Sequence, residues 1–178
     1  AQFRSLLEAL LANGRLLALA NAVDFDLALP QIGRPRGRLD ARARAGYLFN
    51  STIAGIEGAD AVLLVATNPR AEAPLVMSRL RKAWIAQNAK LAAIGPVPPG
   101  SLKVEGLGAA PALLKQIADG RHPFAQALKT AKRPALILGQ GALARADGAA
   151  VLATARRLAE AQGLIRADWN GFNVLHTA

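Results

Sequence analysis

Apolar and polar positions divide the chain into short, wholly apolar runs separated by amphipathic stretches. Residues 61–66, A-V-L-L-V-A, form the clearest run, with turn residues on either side. Lys90–Ile94 and residues 135–138 repeat it, and residues 16–20 and a short pair at 164–165 complete the set. Runs of this length without alternation suit strands covered on both faces, as in a parallel sheet. Between them, apolar residues recur at helical spacing. Phe3, Leu6, Leu7 and Leu10 make one face, ended by Asn13-Gly14. Ser51-Thr52 reads as the N-cap of a short helix through Glu57. Val76, Leu80, Ala83 and Trp84 mark a helix starting near Pro74, with Arg79 and Lys82 turned to water. Ala110, Leu113, Leu114 and Ile117 give a further face, then Phe124, Ala127, Leu128 and Ala131. Behind a cap at Asp147 come Val151, Ala155, Leu158 and Ala159, and residues 168–171, D-W-N-G, read as a closing turn.

The resulting order, α-β-α-β-α-β-α-α-β-α-β, predicts an α/β fold: a Rossmann-like parallel sheet with helices on both faces. A single domain over residues 1–178 is expected.

Composition narrows what such a domain can do. With 0 cysteines, disulfides, thiolate nucleophiles and thiolate ligands are excluded. His122 and His176 stand far apart without metal-ligand spacing, so they read as loop or helix-end residues and no metal site is expected. No uninterrupted apolar run of about 18 residues occurs, so no membrane insertion is expected. The net charge of +10 opens the question of an anionic partner. Five arginines crowd the stretch 33–46, but no aromatic side chains interleave with them to stack bases. A solvated or partner-docking loop is the better reading, and no nucleic acid is expected. Asp24 and Asp26 lack an acid-base partner nearby and read as turn caps or arginine partners.

Two strand ends carry candidate sites. Residues 61–66 empty into Thr67, Asn68, Pro69 and Arg70, a polar turn before a helix. In open α/β sheets, ligands collect beyond the carboxyl ends of strands. Gly139-Gln140-Gly141-Ala142-Leu143-Ala144 fits the G-x-G-x-x-A dinucleotide pattern, with Gly139 and Gly141 as its first two glycines. The helix expected at Asp147 starts late for that role, and its carboxylate would repel a phosphate. No G-x-S-x-G, no phosphate-loop lysine and no nucleophile–base pairing occurs, so no catalytic residue is expected.

The run Y-L-F-N-S-T-I-A-G-I-E-G-A-D-A-V-L-L-V-A-T-N-P-R-A-E-A-P at 47–74 resembles the large iron–sulfur subunits of respiratory complex I, in their molybdopterin-oxidoreductase-like portion. The terminal D-W-N-G-F-N-V-L-H-T-A and the run K-R-P-A-L-I-L-G-Q-G-A-L-A-R-A-D-G are similar to two more segments of that family. The resemblance implies a domain of the formate dehydrogenase/DMSO reductase fold. It implies that Thr67, Asn68, Pro69 and Arg70 correspond to a loop that approaches a pterin phosphate in true molybdopterin enzymes. Ala66 stands where that loop has glycine, and I-G-P-V at 94–97 stands where the family has I-D-P-R. The resemblance further implies a fold retained with the molybdopterin lost, and iron–sulfur clusters held elsewhere in a longer subunit.

The expected role is therefore a structural and interaction domain within an assembly that passes electrons from NADH to quinone. Its partners would be other domains of the same subunit and neighbouring complex I subunits. Its place would be a peripheral arm on the cytoplasmic side of a bacterial inner membrane. The alternative is a working molybdopterin- or nucleotide-binding module built on Thr67–Arg70 and Gly139–Gly141.

Overall fold

The computed structural model describes residues 44–176. The helix and strand expected before residue 21, Asp24, Asp26 and most of the arginine-rich stretch lie outside those residues, as does part of the expected single domain.

Three of the apolar runs form the middle of a five-stranded, all-parallel sheet. Its strands are β1 (Ala61–Val65), β2 (Lys90–Ile94), β3 (Glu105–Gly108), β4 (Pro134–Gly139) and β5 (Phe172–Leu175). Their spatial order is β3-β2-β1-β4-β5. β1 lies at the centre, and all five of its residues are buried. The chain builds outward through β2 and β3, then crosses over β1 to lay down β4 and β5. The direction of winding therefore reverses between β1 and β4, which opens a crevice beyond their carboxyl ends.

Helices cover the sheet: α1 (Pro69–Glu72), α2 (Pro74–Gln87), α3 (Pro111–Ala118), α4 (Pro123–Thr130), α5 (Gln140–Leu143) and α6 (Gly148–Ala161). Proline opens α1 to α4, where its missing N–H costs nothing. On one face, Val76, Leu80 and Ala83 of α2 pack on Val62, Leu64, Leu91, Ala93 and Ile137. Pleating sends the alternate positions, Leu63, Ala92 and Leu136, to the opposite face. There α3 and α4 lie along β1, β2 and β4, and α6 packs on α3. α2 ends with Asn88 in the left-handed conformation, a residue type that tolerates it.

The two sheet edges differ from expectation. The pair at 164–165 is not a strand: Ile165 makes only an isolated antiparallel bridge to Asn170. The fifth strand is Phe172–Leu175, just past the expected turn, where the buried polar Asn173 interrupts the apolar pattern. β3 was not expected at all, because E-G-L-G is glycine-rich and largely exposed, as a short edge strand can be.

The β5 edge is closed by a polar clasp. Val174 donates its N–H to the Leu48 carbonyl. The Ser51 N–H donates to Asn173 Oδ1 at 2.8 Å, and Asn173 Nδ2 donates to Ser51 Oγ at 3.0 Å. Ser51 Oγ donates in turn to the Asn170 carbonyl, and Trp169 Nε1 to the Pro134 carbonyl at 2.7 Å. The N-S and W-N-G-F-N motifs are thus the two halves of one fastening. Arg79 and Lys82 do not simply face water, because both pair with Glu57.

Candidate functional site

The two candidate loops meet. Val65 pairs with Ile94 on one side and with Leu138 on the other, so Ala66 leaves the sheet between Gly95 and Gly139. The packing there is close. A Cβ on Gly139 would overlap the Ala66 carbonyl oxygen and stand 2.7 Å from Thr67 Cβ. A Cβ on Gly95 would lie 3.3 Å from Ala66 Cα, and Gly95 itself has φ +107°. Ala66 adopts φ 48°, the left-handed region that glycine occupies without strain. The first glycine of the G-x-G pattern therefore makes room for a neighbouring strand end. Gly141 is exposed, and a Cβ there would meet the Ala66 carbonyl oxygen at an ordinary contact distance of 3.7 Å.

Past Ala66 the backbone turns into α1. Asn68 caps it, its Oδ1 accepting from the Arg70 N–H at 3.2 Å. The next donors are met from within the loop. The buried Thr67 hydroxyl donates to Glu72 Oε2 at 2.8 Å, and the Asn68 N–H donates to Glu72 Oε1 at 2.7 Å. Glu72 thus folds back so that both its oxygens are taken by the strand-end turn, like the reciprocal half of a capping box stretched by one residue. Those donors hold a carboxylate of the same chain. A phosphate would have to displace it or approach its negative charge, so the turn as arranged does not fit a pterin phosphate.

Arg70 turns away from this cradle. Its Nη1 donates to the Pro99 carbonyl at 2.9 Å, across the loop that follows β2. That loop has Ile94-Gly95-Pro96-Val97 where a dinucleotide site would place an acid for ribose hydroxyls.

On the β4 side a separate helical turn, α5, starts directly at Gln140, ahead of the helix expected behind Asp147, which is present as α6. Asp147 precedes α6, but its side chain makes no capping bond to that helix. It binds Arg145 instead, accepting from Nε at 2.6 Å and from Nη2 at 2.9 Å. The hydrogen bond from Arg145 holds the Asp147 carboxyl below the ordinary carboxylate range. His122 caps α4, its Nδ1 accepting from the Phe124 N–H, and a His176 ring nitrogen lies 2.7 Å from the Tyr47 carbonyl oxygen. Among the described residues, no group of three or more His, Asp or Glu side chains is placed to hold a metal ion.

Across residues 5–178 the sequence matches the molybdopterin oxidoreductase family. The chain belongs to it. Within that family it is similar to the potato protein named NADH dehydrogenase [ubiquinone] iron-sulfur protein 1, mitochondrial, at 46% identity over 136 residues. It is 42% identical over 139 residues to the G subunit of the NADH-quinone oxidoreductase of Rickettsia conorii, and 41% identical to its counterpart in Rickettsia bellii. These alignments take in 76–78% of this chain but only 18–21% of the relatives, so it spans about a fifth of their length. This molybdopterin oxidoreductase domain is thus homologous to one part of a much longer protein. Among solved structures it has a looser likeness to the formyltransferase/hydrolase complex (FhcABCD) of Methylorubrum extorquens in complex with methylofuran. The TM-score is 0.45 and the identity 19%, over 76% of this chain and 41% of that one.

Sequence reasoning located the strand-end turns but missed Glu72, the residue that decides their chemistry. The available signal was an acid four residues after an asparagine N-cap, one position beyond capping-box spacing. It also missed Arg81 and Ser101, which come together beside Arg70 only through folding.

Proposed function

We propose that this domain serves as a structural and interaction module of the large iron–sulfur subunit of an NADH–quinone oxidoreductase, with no redox chemistry of its own. The observation that carries the reading is the Glu72 carboxylate seated on Thr67 and Asn68. A loop whose relatives by fold approach a cofactor phosphate here spends its donors on the chain's own acid. Homology to the much longer Rickettsia and potato proteins supplies the assembly: the parent subunit takes part in electron transfer from NADH to quinone through its iron–sulfur clusters. The domain's partners are the rest of that subunit and its neighbours in a peripheral arm, on the cytoplasmic side of a bacterial inner membrane. Among the described residues, no helix is long and apolar enough to cross a membrane. Thr67, Asn68, Pro69 and Gly139 act in this reading as packing and capping residues at the sheet's switch point, Arg70 braces the loop after β2, and Gly141 is an exposed turn residue.

The test is made in the full-length subunit within its complex. Asn68→Ala and Gly141→Ala leave quinone reduction per assembled complex unchanged. Asn173→Ala lowers the amount of complex assembled, with turnover per complex intact. A fall in turnover per complex from Asn68→Ala would count against the scaffold reading.

A further inference from the structure

Beside the filled cradle lies an unfilled groove of about 280 Å³, between the start of α2 and the loop after β2. Arg70, Met77, Ser78, Arg81, Ser101 and Leu102 line it. Its walls are pre-set. Arg70 Nη1 is fixed to the Pro99 carbonyl at 2.9 Å, and Arg81 Nη1 to Ser101 Oγ at 2.8 Å. Gly100, at φ +127°, makes room for the Arg70 guanidinium, since a Cβ there would stand 2.6 Å from Arg70 Nη1. Neither arginine forms an ion pair among the described residues, and no acid lines the groove.

We infer that this groove docks an acidic segment of a partner protein, one or two carboxylate side chains lying between Arg70 and Arg81. The inference rests on the scaffold reading above and adds the chemistry of the contact. Two fixed guanidinium forks are matched to carboxylates, which accept paired N–H bonds from a planar fork. Ser78 and Ser101 add hydroxyls, and Met77 and Leu102 provide an apolar floor for the side-chain stem. The lining disfavours a nucleotide. No aromatic side chain here offers a base a stacking surface, and no acid stands ready for a ribose.

A benzophenone side chain introduced at Ser78 of the full-length subunit, photolysed in the assembled complex, reads out the occupant. A second probe at Ser101 guards against a local folding failure. The groove captures a protein segment containing Asp or Glu. Arg81→Glu cuts the yield by about tenfold, and exchanging the captured acid for lysine restores it in that variant. Capture of a segment without acids, a yield indifferent to Arg81→Glu, recovery of a nucleotide, or no protein adduct from either probe overturns the inference. If the complex assembles normally and the groove stays empty, the scaffold reading survives alone. If the subunit is found outside the complex, that reading fails with it.

Discussion

Two basic or donor-rich places lie next to each other at the carboxyl edge of this sheet, and they differ in one respect. At the end of β1, Thr67 and Asn68 offer an anion cradle, and Glu72 of the same chain sits in it. Beside it, Arg70 and Arg81 hold two positive charges, and no acid among the described residues lines their groove. Homology directs attention to the cradle, but electrostatics directs it to the groove. A site inherited with a fold can be closed by a single acid, and unmatched charge is the better guide to where a partner is still needed.

The contrast can be broken by substitution. The largest effect is expected at Gly139→Val, which drives a side chain into the Ala66 carbonyl and Thr67 and costs about 3 kcal/mol; denaturant unfolding measures it. Glu72→Ala strips the acceptors from a buried hydroxyl and a backbone N–H and costs about 2 kcal/mol, with Glu72→Gln losing roughly half of that. Ala66→Gly works in the other direction. Relief of the left-handed backbone outweighs the added freedom of the unfolded chain, for a gain of about 0.5–1 kcal/mol. In the groove, Arg81→Glu changes stability by no more than about 0.5 kcal/mol, since its role there is to meet a partner. A cost for Arg81→Glu equal to that for Glu72→Ala would erase the distinction between the two places.

A control away from both sites comes from pH. Hydrogen bonds from Arg79 and then Lys82 hold the Glu57 carboxyl below its ordinary 4.5. Because the folded value is the lower one, the pairing stabilises fully above about pH 4.5 and is lost as pH falls through the folded value. Glu57→Gln should therefore lower the melting temperature near neutrality, where the pairing is intact, and converge with the parent at low pH, flattening the acid side of the profile.

The central strands were readable because β1, β4 and all of β2 but its first residue, the exposed Lys90, are buried on both faces and carry no polar side chain. The helix opened by Pro74 and those closed by Gly120 and Gly163 were readable from local signals, whereas the short α1 at Pro69 read as a turn. The edges were not. β3 owes its existence to pairing with β2, and β5 to the clasp on Asn173, and both depend on residues distant in sequence. The candidate site divides in the same way. Turn residues announced the strand ends, but the Thr67–Glu72 bond depends on how the turn folds back. The nearness of Arg81 to Ser101 spans 20 positions that no local pattern records. Asp147 holds the N-cap position its residue type announced, but its carboxylate serves Arg145 and not the helix it precedes.

The most direct test of the central claim is thermal unfolding of the purified chain with and without molybdopterin guanine dinucleotide. A ligand at 100 times its dissociation constant would add about 2.7 kcal/mol to stability, a shift easily seen in the melt. With Glu72 in the cradle, no shift is expected. An upward shift that disappears in Thr67→Ala would contradict the account, because the cradle would then hold a cofactor that its own acid was supposed to exclude.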